Sequence, residues 1–231
     1  LMVNGSESGI RSRNYGTGEL IITSSGAVTG SEKYGIEAFN SSSGTDLTLW
    51  TAVVTGVRKG IDAFNFGSGD LRIVNTGSVG GTGGDGISAV NSGADLIIDT
   101  SFVRGDEDGI DVFNRGSGVL SITTSGDISG FRRDGISAIN YGSDLQLSSM
   151  AVTGRNRGIY ARNDGSGALS ITSSGAVRGT GDESIGIYAK NYGTDLTLET
   201  SEVWGGYRGI YARNDGSGAL SITSSGEVTG L

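Results

Sequence analysis

Cysteine, histidine and proline are all absent from this chain of 231 residues. Without cysteine there are no disulfides and no thiolate metal sites. Without histidine the commonest general base, transition-metal ligand and pH switch are missing, and a serine–histidine triad is excluded. Proline cannot donate to a strand ladder, so its absence fits a chain in which most strands have a neighbour on both sides. Long apolar runs are missing too: no stretch approaches the 18 or so residues that a membrane-spanning helix needs. Basic charge is scarce, with 17 Lys and Arg against 25 Asp and Glu and a net charge of −8. Such a chain lacks the basic footprint that nucleic acids and anionic membranes require, so neither is an expected partner. The opening Leu-Met-Val-Asn-Gly is not a signal peptide, and any export signal is expected outside this stretch.

Glycine is plentiful, with 43 residues, and its placement is periodic. The pattern Gly-Ile-x-Ala-x-Asn starts at Gly35, Gly60, Gly86, Gly135, Gly158, Gly186 and Gly209. Looser copies start at Gly9, where Ser12 replaces Ala, and at Gly109, where Val112 does. Successive glycines are 26, 25, 26, 23, 26, 23, 28 and 23 residues apart. Longer coils carry Gly-Ser/Thr-Gly, as in Gly67-Ser68-Gly69, where shorter ones carry Gly-x-Asp, as in Gly142-Ser143-Asp144. The result is a two-coil super-repeat, and segments 158–178 and 209–229 are nearly identical.

Each coil holds three alternating segments, Ile-x-Ala, Leu-x-Ile/Leu and Val-x-Gly. Period-two alternation rich in β-branched residues predicts strands with one face inward. Three apolar columns then run the length of the chain, from Ile10 to Ile210, from Leu20 to Leu220 and from Val28 to Val228. Strands this short cannot bury a face alone, so the coils are expected to stack. The predicted fold is all-β: a parallel β-helix of about nine coils of 23–28 residues, three short strands each. A right-handed winding would agree with the general crossover rule. A propeller of two-coil blades is the competing architecture, but the two halves of each super-repeat are too alike for it. Residues 1–231 read as one uncapped solenoid segment, expected to belong to a longer rod or to stack end to end.

An asparagine closes the first strand of every coil: Asn14, Asn40, Asn65, Asn91, Asn114, Asn140, Asn163, Asn191 and Asn214. Turn chemistry, with the left-handed backbone that asparagine tolerates, and stacking of amides along the rod both suit this position.

Runs such as Ile171-Thr172-Ser173-Ser174-Gly175-Ala176-Val177, followed by Gly186-Ile187-Tyr188-Ala189, resemble the passenger repeats of Gram-negative autotransporter and related large secreted adhesins. The resemblance covers essentially the whole chain. It implies a right-handed β-helix, export to the cell surface or beyond, and a membrane barrel further along the protein. Such proteins include adhesins, biofilm proteins and toxins, and the helix is often a stalk.

Three outward features are candidates for function. Coils two to six present an apolar stripe of Phe39, Phe64, Val90, Phe113 and Ile139; coils seven to nine present Tyr160, Tyr188 and Tyr211 beside Arg162, Lys190 and Arg213. These zones suit surface glycans or other proteins as partners, or serve only as stacking that stabilises parallel strands. An acidic column of Asp85, Asp108 and Asp134 precedes the landmark glycine in coils four to six. It reads either as a carbohydrate-lyase-like site, with calcium or an arginine neutralising the carboxylates, or as a solvated face balanced by Arg104, Arg132 and Arg133. The loose calcium-like run Gly80-Gly81-Thr82-Gly83-Gly84-Asp85 occurs once, whereas that repeat needs tandem copies. The reading is a non-catalytic structural or adhesive stalk segment of an extracellular or surface-exposed bacterial protein, without a cofactor. A self-assembling filament and a polysaccharide lyase-like enzyme are the alternatives.

Overall fold

The structure, a computed structural model, describes residues 2–231. The described residues form 28 short strands and no helix, so none of them forms a helix able to cross a membrane. The strands sort into three parallel sheets, each built from one segment of every coil. The landmark sheet has nine strands, from Ile10–Asn14 to Arg208–Asn214; the leucine sheet has nine, from Leu20–Ser24 to Leu220–Ser224. The valine sheet has ten, because Val3–Gly5 adds a strand that pairs with Val28–Gly30. In every sheet a strand's neighbours are its equivalents one coil away, the pattern of a β-helix with three strands per coil.

Register follows the sequence pattern position by position. Ile87 pairs with Ile61 and Ile110, Leu96 with Leu71 and Leu120, and Val103 with Val79 and Ile128. A one-residue slip would turn each apolar column to solvent, so burial itself holds the register. The interior Ile, Ala, Leu and Val columns of coils two to eight form one continuous core, and Ile36, Leu96 and Val152 are fully buried. At the last coil Leu220, Ile222 and Val228 are exposed.

The corners are tight. The longest connection between strands is the six residues between Asn40 and Leu47. Glycine permits close approach at the bend between valine and landmark sheets. A Cβ on Gly86 would lie 2.4 Å from Val103 Cγ1 and 2.6 Å from the Gly109 carbonyl oxygen. No described residue has a positive φ, so the role is space rather than a left-handed backbone.

The lengths of the coils alternate for a steric reason that spacing alone did not reveal. The aspartate of each Gly-x-Asp corner accepts a hydrogen bond from the backbone of the next, longer coil: Asp46 from Asp70 N at 2.7 Å, Asp95 from Val119 N at 2.7 Å, Asp144 from Ala168 N at 2.7 Å and Asp195 from Ala219 N at 2.7 Å. The second glycine of the facing Gly-Ser-Gly leaves room for that carboxylate. A Cβ on Gly69, Gly118, Gly167 or Gly218 would lie between 1.9 and 2.1 Å from the aspartate oxygen. The two corner types interlock, which makes the coil pair the natural unit.

Candidate functional site

The landmark sheet carries all three sequence candidates. Its strands alternate inward Ile, Ala and Asn with outward residues, so every candidate column stands one side chain per coil.

The asparagines are structural in the plainest sense. Asn40 to Asn191 are fully buried. Each amide nitrogen donates to the next asparagine's Oδ1, in an unbroken series from Asn14→Asn40 at 2.9 Å to Asn191→Asn214 at 3.1 Å. Asn65, Asn114 and Asn163 also accept a backbone N–H two residues on and donate to corner carbonyls. The stacked-amide expectation therefore holds. The left-handed backbone does not occur, since no described residue has positive φ: the side chain turns inward and pairs along the axis while the backbone stays extended.

The apolar stripe is half-buried rather than open. Phe39, Phe64, Val90, Phe113 and Ile139 are all of intermediate exposure, and corner aromatics pack against Phe39, Phe64 and Phe113. Tyr15 packs on Phe39 at 5.7 Å between ring centroids, Phe66 lies between Phe39 and Phe64, and Tyr141 packs on Phe113 at 5.2 Å. The more exposed rings beside the stripe are Tyr15, Phe66 and Tyr141, which sequence reasoning had not singled out. Each is the residue just past the corner asparagine.

Tyr160, Tyr188 and Tyr211 form the expected ladder, with centroids 5.3 and 4.7 Å apart. Their faces are largely taken. Tyr188 and Tyr211 stack on each other, and the Arg157 guanidinium lies 4.0 Å over Tyr160. The neighbouring basic ladder is partly neutralised. Arg162 pairs with Asp164 at 2.8 Å, Arg213 with Asp215 at 2.7 Å, and Lys190 lies 3.7 Å from Asp215 and donates to the Tyr192 hydroxyl. What this zone offers a partner is tyrosine edges and hydroxyls, more than free ring faces or free cations.

The acidic column corrects the expectation of a solvated face. Asp85, Asp108 and Asp134 are only 6%, 4% and 4% exposed. Short corners and long neighbouring side chains cover them. Backbone amides hold the column together: Asp108 N donates to Asp85 Oδ1 at 3.2 Å, and Asp134 N donates to Asp108 Oδ1 at 2.7 Å. Cations close its two ends. Lys59 Nζ lies 3.4 Å from Asp85 and 3.1 Å from Asp62, and donates to Ser88 Oγ. Arg157 grips Asp134 with two nitrogens, at 3.0 and 2.8 Å. The arginine expected from spacing, Arg133, lies at the rim 3.6 Å from Asp108, and Arg132 pairs with Asp106 instead. Arg157 and Lys59 were not linked to the column by sequence reasoning. The signal was present, since both occupy the position before a landmark glycine in the flanking coils.

The electrostatics follow from burial. Burial raises Asp62, Asp111 and Asp134 above the ordinary aspartate value, against the opposing pull of Lys59, Ser137 and Arg157 respectively. Burial also opposes the charge on Lys59, but Asp62 and Asp85 together carry it above the usual lysine value. Asp108 goes furthest, pushed up to about 7, chiefly by burial and then by the like charges of Asp134, Asp111 and Asp85. Among the described residues, no group of three or more carboxylates is arranged to hold a metal ion. Two open depressions on the rod lie elsewhere, one against Ser121, Gln146 and Ser170 on the leucine sheet, the other against Arg104, Phe131, Arg155 and Asp182 at a corner.

No known protein-family model, curated protein or solved structure matches the chain.

Proposed function

We propose that this chain is a non-catalytic structural segment of a secreted or surface-exposed bacterial protein: a stalk that sets distance and offers a side-chain surface for adhesion. The observation that carries the reading is the uniform cross-section of the coil. No described connection exceeds six residues, so no loop rises to wall a cleft of the kind small substrates occupy. The buried volume goes into continuous apolar columns and an amide ladder, which serve length and stiffness. Adhesion would fall to the landmark sheet and the corner after it, which carry the tyrosine ladder and the exposed Tyr15, Phe66 and Tyr141. Surface glycans and other proteins are the partner classes such a line suits.

The competing reading, a carbohydrate-active enzyme built on Asp85, Asp108 and Asp134, gains from the elevated proton affinity of Asp108 and Asp134 and loses from the closure of the column by Lys59 and Arg157. The discriminating experiment is incubation of the purified chain with a panel of acidic polysaccharides, with and without calcium, followed by chain-length analysis. The stalk reading expects no depolymerisation under any condition. Cleavage that is lost on Asp108→Asn would establish the enzyme instead. Surface placement is tested separately. Antibody raised against the chain should label intact cells of the source bacterium, and labelling only after lysis would reject it.

A further inference from the structure

The aspartates of coils four to six form a column with an imbalance that the rest of the rod avoids. Along the interior of the fold, polar groups come in matched ladders, such as the asparagine amides, where every acceptor meets a donor one coil away. In the aspartate column, three carboxylates follow one another at the coil spacing, about 5 Å; Lys59 and Arg157 close the ends, and the middle has only the solvent-exposed Arg133 at its rim. The central residue, Asp108, has one carboxylate oxygen on the Asp134 amide at 2.7 Å. Its other oxygen lies 3.6 Å from Arg133, a side chain 61% exposed that also serves Glu107 at 3.9 Å. Asp111 stands three residues on, in the strand Ile110–Asn114 that follows, with Asp62 and Asp85 on the near side and Asp134 beyond. At the corners, Asp106 is matched by Arg132, and Arg104 borders the depression beside Asp106. The charges around Asp108 are therefore mostly of its own sign, and the group is too buried for water to screen them.

We propose that this column is a proton-operated latch: one proton taken up at Asp108 removes the unbalanced charge and tightens coils four to six, and its release loosens them while the flanking coils stay closed. The lifted proton affinity of Asp108, to about 7, agrees with the geometry and places the transition near neutrality. The sign is the reverse of ordinary acid denaturation. Because the folded chain holds a proton that the unfolded chain has already released, stability falls as pH rises from the ordinary aspartate range to about 7, and levels off above it. A rod of this kind is stiffest in mildly acidic surroundings and acquires a soft segment in its middle at neutral to alkaline pH.

The test is urea unfolding of the whole chain followed by circular dichroism between pH 5.5 and 8.5, for the wild type, for Asp108→Asn and for Asp99→Asn. Asp99 is a half-buried aspartate on the leucine sheet, paired there with Arg72 and away from the column, and its variant is the control. The wild type and the control should lose stability as pH rises, by about tenfold or more in the folding equilibrium. Asp108→Asn should lose most of that slope and unfold at higher urea than the wild type at pH 8.5. A flat wild-type profile, or an Asp108→Asn profile parallel to the wild type, overturns the proposal. Should Asp108→Asn fail to fold, carbon-13 NMR of the wild-type aspartate carboxyls decides. A buried aspartate carboxyl titrating near neutrality supports the latch, and titration of every aspartate below pH 5 rejects it.

Discussion

The residue that most limits what this chain can tolerate is the corner asparagine. Asn114 accepts from Asn91 Nδ2 and Gly116 N, and donates to Asn140 Oδ1 and the Gly118 carbonyl oxygen. Removing the amide orphans all four partners in a site that is fully buried. Orphaned buried groups cost about 1–3 kcal/mol each, and local relaxation recovers some of that. Asn114→Ala is therefore expected to cost about 2–5 kcal/mol, measured as a fall in the urea midpoint with little change in slope. A loss under about 0.5 kcal/mol, typical of an ordinary surface substitution, would mean that the ladder contributes little. The nine asparagines were legible from sequence because they recur without a gap. The direction of their side chains was less legible. Turn chemistry and axial stacking predict the same residue at the same place, and the structure combines them: the side-chain oxygen accepts a backbone N–H two residues on while the amide nitrogen donates along the axis, without a left-handed backbone.

At the scale of the coil, the chain is built from interlocking pairs. The alternation of Gly-x-Asp and Gly-Ser-Gly was visible as a difference in length, but its cause lies between coils and needed coordinates. Asp95 and Gly118 are one example: the carboxylate accepts the Val119 amide at 2.7 Å in the space that a Gly118 side chain would fill. Gly118→Ala should be destabilising in the wild type and much less so in an Asp95→Ala background. A double-mutant cycle should return a coupling of about 1 kcal/mol or more, within the range for contacting residues. Additive effects would show that the interlock is accidental. The same reasoning applies to whole coils. Deleting residues 158–208 removes one complete pair and places the corner of Gly218 on Asp144, as Gly167 is now. Deleting 158–185 alone instead puts Thr194, which has a side chain, against Asp144. The pair deletion should fold with a thermal midpoint close to the parent, and the single-coil deletion should melt well below it. Equal midpoints would indicate that coils, and not pairs, are the unit.

At the scale of the molecule, the fold and the candidate site were not equally readable. The three apolar columns, their register and the coil count follow from period-two alternation repeated at a near-constant interval, because burial leaves no other register open. The surface was harder. Asp85, Asp108 and Asp134 read as solvated charges, since isolated charge runs usually are. They are buried instead, with Lys59 and Arg157 pairing the two ends of the column from a coil away on either side. Outward does not mean exposed on a rod whose neighbouring coils are only about 5 Å apart. The account as a whole rests on one geometric claim, that the coils add along a line. The chain has no cysteine, so pairs can be introduced and spin-labelled cleanly. Thr29, Thr153 and Thr229 all stand at the middle position of valine-sheet strands, five coils apart for the first pair and eight for the outer pair. At about 4.8 Å per coil, electron–electron distance measurements on Thr29→Cys/Thr153→Cys and Thr29→Cys/Thr229→Cys should centre near 24 Å and 38 Å, broadened by the label arms. A linear increase of that size is the result a stacked rod predicts. An outer pair no farther apart than the inner one, as in a ring of blades that closes on itself, would contradict it.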